Sequence, residues 1–94
     1  MKPWLAEEIE WDDANERELA AHRISPAEVH ELFEAGPQWV PNKKYRAGDW
    51  KVVGYTASGR AITVIVSWDE SWARLRPVTG WDCTRGEKTR YLRS

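Results

Sequence analysis

The sequence predicts an α+β domain: two N-terminal helices packed on one face of a curved, mostly antiparallel sheet, closed by a short helix, in the order β-α-α-β-β-β-β-α. Three observations carry this prediction. Apolar residues recur at helical spacing up to about residue 36 and with a period of two afterwards. The stretch "SPAEVHELFEAGP" (25–37) contains the start and stop signals of one helix. The stretch "AITVIVSW" (61–68) is apolar on both faces, as a central strand must be.

Each element has its own reason. "EIEW" (8–11) reads as a short opening strand, and "DDANERELAAH" (12–22) as a helix with Asp13 as N-cap and Glu16 three residues on. "RI" is a brief joint. In 25–37, Ser25 caps, Pro26 occupies the first turn and Glu28 completes a capping box. Val29, Leu32 and Phe33 form the buried stripe of that helix, and Gly36-Pro37 ends it. "QWV" (38–40), "WKVVGYT" (50–56), "AITVIVSW" (61–68) and "ARLRPVT" (73–79) read as strands. Ser58-Gly59 and "DESW" supply the turns of two antiparallel hairpins. In 73–79, Arg74 and Arg76 share one face and Leu75 takes the other, which marks a half-exposed strand. Thr84 with Glu87 gives a further capping box, starting a helix of about ten residues.

The 94 residues suit a single domain spanning 1–94. The longest apolar run is too short to span a bilayer, and "MKPWLAEE" lacks the apolar core of a signal peptide. One cysteine, Cys83, excludes an intrachain disulfide framework, so a cytoplasmic protein without a membrane partner is expected.

A net charge of −1 conceals an asymmetry: residues 1–35 carry ten acids against three bases, and residues 36–94 eleven bases against five acids. A basic half offers a surface for a polyanion or an acidic partner, unless the two halves pair across the fold. Seven tryptophans are too many to bury in so short a chain, and exposed indoles stack on bases or anchor protein interfaces.

Chemistry is narrowed by elimination. His22 and His30 fall on different helices without the spacing of a zinc site, so no metal and no cofactor is expected. There is no glycine-rich phosphate loop, and Cys83 has no evident base. Cationic and aromatic groups remain. Cleaving RNA without a metal requires a group to deprotonate the 2′-hydroxyl, cations on the developing phosphorane and a proton for the leaving oxygen. Arg76 on the last strand, Arg90 and Tyr91 on the last helix, and Arg60 or Arg46 nearby are the candidates to converge on a sheet face. Each has a plainer reading: Arg90 suits a helix C-terminus, Tyr91 packs, and Glu87 is a reciprocal cap.

Taken together, the segments resemble a known family. "EWDDANERELAAHRISPAEVHELF" is similar to the opening of BrnT-like toxins, "GYTASGRAITVIVS" to their Gly-Arg hairpin, and "RPVTGWDCTRGEKTRY" to their closing strand and helix. The likeness covers nearly the whole chain, and its order and spacing carry more weight than any one motif. It implies a RelE-like fold and the toxin of a type II toxin–antitoxin pair, a metal-independent endoribonuclease that cleaves RNA and blocks translation. It also implies a cognate antitoxin as partner, with a heterotetramer as the assembly. Arg76 matches the strand arginine, Arg60 the hairpin arginine, and Glu87 and Tyr91 the helix signature. Catalysis is then expected of Arg76, Arg60, Arg90 and Tyr91, and RNA contact of Lys44, Arg46, Arg74, Trp81 and Arg85. Two positions depart from the pattern: Gly80-Trp81 stands where Ala-Arg is usual, and Arg23 where the joint has glycine. An indole in place of a cation raises the alternative of a non-catalytic module that binds RNA or the antitoxin.

Overall fold

The structure, a computed structural model, describes residues 2–43 and 48–92. After a 3₁₀ turn at Pro3–Leu5 come β1 (Glu8–Ile9), α1 (Asp13–Ala21), α2 (Pro26–Glu34), β2 (Gln38–Pro41), β3 (Trp50–Tyr55), β4 (Ala61–Asp69), β5 (Arg74–Asp82) and α3 (Arg85–Tyr91). The five strands form one sheet in the order β1-β5-β4-β3-β2, antiparallel except for β1, which runs parallel to β5. The α+β class, the order of elements and the central position of 61–68 are therefore as the sequence predicts.

Burial explains why β4 is central. Ile62, Val64 and Val66 join Leu19, Ile24, Val29, Leu32, Val52 and Leu75 in the core beneath α1 and α2. Thr63 and Ile65 alternate with them and are also fully buried, so the reverse face is covered as well. On that reverse face α3 packs against β3, and Thr63 exchanges a hydrogen bond with the Cys83 thiol at 3.3 Å. Gly80 has no room for a side chain, because a Cβ there would lie 2.7 Å from the Thr63 carbonyl oxygen and 3.1 Å from Leu19. The absence of a side chain lets α1 settle onto β5.

Most strand ends shift by one or two residues from the sequence reading, and three boundaries differ in ways that matter to the packing. The N-cap of α1 is Asp12, whose side chain accepts from the Asn15 amide while Asn15 accepts from the Asp12 amide. Asn15 wins over Glu16 because it is buried and also donates to the carbonyls of Glu10 and Pro77, which a glutamate cannot do. β5 continues to Asp82, past a bulge opposite Ile65 and Val66 that leaves Val78 unpaired, and α3 is seven residues long. The capping boxes at Ser25/Glu28 and Thr84/Glu87 form as expected.

The tryptophans divide by exposure. Trp4 and Trp72 are 49% and 68% exposed. Trp39 and Trp50 are half-buried and meet Trp4 at ring separations of 6.1 and 6.0 Å, with Phe33 stacked on Trp39 at 5.7 Å. Among the described residues no helix is long and apolar enough to cross a membrane.

Candidate functional site

The reverse face of the sheet holds an unusual arrangement around Glu87. The Thr84 N-cap sets the first turn of α3, and this turn brings the Glu87 carboxylate over β3 and β5. Glu87 Oε1 accepts from the Thr84 amide at 2.9 Å and from the Trp81 indole at 3.0 Å, and Oε2 accepts from Lys51 Nζ at 2.7 Å. The Lys51 and Glu87 side chains are only 19% and 9% exposed. Burial pushes the Glu87 carboxyl up, but the bonds from Lys51, Thr84 and Trp81 outweigh it and hold the group below the ordinary glutamate range. Glu87 is thus a fixed anion with its acceptors occupied. It is not placed to take a proton from a substrate.

Beside this ion pair lies an open cleft of about 370 Å³ between the β2–β3 end and α3. Val40, Pro41, Asn42, Lys43, Lys51, Arg90 and Tyr91 line it, with no carboxylate among them. Tyr91 is flanked by two cations, Lys51 Nζ at 5.7 Å and the Arg90 guanidinium at 5.6 Å from its ring centre. A second hollow of about 390 Å³ adjoins on the other side of Tyr91, bounded by Gly36–Gln38, Gly54 and Tyr55. The cleft offers multiple cationic donors to a phosphate, and the adjoining rings offer faces to a base.

Of the residues expected to be catalytic, the structure brings Arg90 and Tyr91 into this cleft and places the other two elsewhere. Arg76 bonds Asp12 and lies 3.9 Å from Glu10, at the β1 side of the sheet, up to about 16 Å of strand from Trp81. Arg60 acts as a clasp: Nε donates to Asp82 at 2.7 Å and Nη1 to Glu28 at 3.0 Å. It also donates to the carbonyls of Arg23 and His22 at 2.6 and 3.3 Å. The partner hydrogen bonds raise the Arg60 and Arg76 guanidinium pKa values further and lower those of Asp12 and Asp82. Burial pushes the Glu28 carboxyl up, but the Ser25 backbone amide and then Arg60 outweigh it and hold the group below its ordinary value. Arg74 pairs with Glu8 at 3.2 Å and has Trp72 beside it. Arg85 opens α3 and is exposed. Trp81 is half-buried behind the cleft, bonded to Glu87, and Lys44 and Arg46 lie outside the described residues.

Lys51 and Lys43 are the cleft cations that sequence reasoning missed. A signal for Lys51 was present: in "WKVVGYT" it alternates with Val52 and shares its face with buried Val53, an unfavourable place for an ammonium without a partner. Among the described residues, no three His, Cys, Asp or Glu side chains gather as metal ligands would. No protein-family model and no curated protein matches the chain.

Proposed function

We propose that this chain is an RNA-directed toxin of the BrnT-like, RelE-type class, binding RNA in the cleft of Lys43, Lys51, Arg90 and Tyr91 and cleaving it without a metal. The observation that supports this reading most is the gathering of three cations, two of them flanking Tyr91, in one cleft whose described lining has no acid. Arg90 supplies charge to a phosphorane, and Tyr91 supplies a ring for a base or a hydroxyl for proton transfer. The cognate antitoxin would cover this basic half of the molecule and so block access to RNA, as the sequence resemblance implies.

A specific observation favours a second reading, a binding module without cleavage. The two arginines matched to the catalytic set, Arg60 and Arg76, are already engaged by Glu28, Asp82 and Asp12. One experiment separates the readings. Labelled RNA is incubated with the parent, Arg90→Ala and Tyr91→Phe proteins, with and without chelator, and both binding and cleavage are followed. A ribonuclease cuts with chelator present and slows by about tenfold to a thousandfold in Arg90→Ala. A binding module leaves all RNA intact while Arg90→Ala weakens the complex. RNA that is neither bound nor cut by the parent defeats the ribonuclease and the RNA-binding module alike and leaves only a module that binds the antitoxin.

A further inference from the structure

Trp81 stands where the sequence pattern leads one to expect a cation, yet its indole is not an idle substitute. It donates to the carboxylate that holds Lys51, so one anion receives bonds from β5, from the start of α3 and from β3. A carboxylate tied at three points cannot swing, and the ammonium bonded to it is confined in turn. A lysine on an open surface loses rotamer freedom when it clamps a phosphate, whereas Lys51 has lost much of it beforehand. One of its three N–H donors is given to Glu87, and the side chain still lines the cleft beside Tyr91.

We infer that Lys51 is the fixed phosphate-contacting cation of the cleft and that Trp81 is a positioning residue, acting on Lys51 through Glu87. The inference rests on the RNA-binding reading above and goes further by assigning the contact and its support. An indole N–H, a carboxylate and an ammonium together do what one guanidinium would do at the same end of β5. The competing account is an internal ion pair that holds α3 to the sheet and never meets RNA.

Salt dependence and non-additivity separate the two. The affinity of hexauridylate is measured against salt concentration for the parent, Lys51→Gln, Trp81→Phe and the double variant, each checked for folding by circular dichroism. Lys51→Gln is expected to weaken binding about tenfold and to reduce the slope of log K against log salt by about 0.7, the value of one single-strand phosphate contact. Trp81→Phe keeps a ring but removes the N–H, and should weaken binding about threefold with the slope retained. In the Lys51→Gln background it should do nothing further. A second measurement needs only the folded parent and serves if a variant fails to fold. The Trp81 indole N–H resonance, identified by its loss in Trp81→Phe or by sequential assignment, should move as hexauridylate is added. If the parent binds and Lys51→Gln matches it in affinity and slope, the inference is overturned and the RNA reading stands. If Trp81→Phe costs the same with or without Lys51, the indole touches RNA itself and the positioning role fails. An unmoved indole resonance on RNA binding also overturns it. If the parent binds no RNA, the functional reading fails and this inference with it.

Discussion

Arg23 shows how a single residue carries strain for the whole α1–α2 joint. Its φ is +60°, a left-handed backbone that a side chain with a Cβ adopts only at a cost. The joint needs that turn because the amide of Ile24 returns to the Leu19 carbonyl at 2.9 Å, closing the end of α1. Arg60 then donates to the carbonyls of His22 and Arg23, satisfying acceptors that the helix leaves open. The strain and the clasp are separable. Arg23→Gly keeps the carbonyl and removes the Cβ, so we expect it to stabilise the domain by about 0.5–1 kcal/mol in urea denaturation. An unchanged or lower midpoint would mean that the arginine side chain offsets its own backbone cost.

At the scale of elements, α1 is attached to the sheet by polar rather than apolar means at its first turn. Asn15 is almost fully buried and serves both the Asp12 amide and the carbonyls of Glu10 and Pro77. Asn15→Ala removes the reciprocal half of the capping box, with the Asp12 cap itself retained, and leaves a buried strand carbonyl without its donor, so a loss of about 2–3 kcal/mol is expected from the urea midpoint at constant slope. A loss within a few tenths would show that water replaces the amide. This attachment was hidden in the sequence, where "DDANERE" presents Asp13 and Glu16 as an equally good capping pair. Local spacing cannot reveal a bond to residue 77. By contrast β4, the α2 capping box and the α3 capping box were legible, because burial pattern and i to i+3 capping are properties of contiguous sequence. The candidate site was legible only in part for the same reason. Arg90 and Tyr91 stand together on one helix, whereas the partners of Arg60 and Arg76 come from segments far away in the chain.

For the molecule as a whole, the acidic N-terminal half and the basic remainder prove to be partly complementary: Glu8, Asp12 and Glu28 pair with Arg74, Arg76 and Arg60. Among the described residues, Lys43, Lys51 and Arg90 line the same cleft between the β2–β3 end and α3. These pairs also set the pH response. Asp12, Glu28, Asp82 and Glu87 all have pKa values below their ordinary ones in the folded protein, so on acidification the unfolded chain takes up protons first. Their stabilisation is complete above roughly pH 4–5, near the ordinary Asp and Glu values, and drains away as pH falls through the lower folded values. The urea midpoint should therefore hold steady from pH 7 to about 5 and decline below it, and Glu87→Gln should make the decline shallower. A midpoint that does not fall on acidification would contradict the pairing. Finally, β1 matches Glu8 with Arg74 and Ile9 with Leu75, a separation of 66 positions that gives the sheet a temporal order as well as a spatial one. Synthesis delivers the N-terminus first, so β1 has no partner and α1 no strand edge to cover until β5 follows. Lys51 likewise waits for Glu87, and a growing chain has no cleft until α3 has emerged.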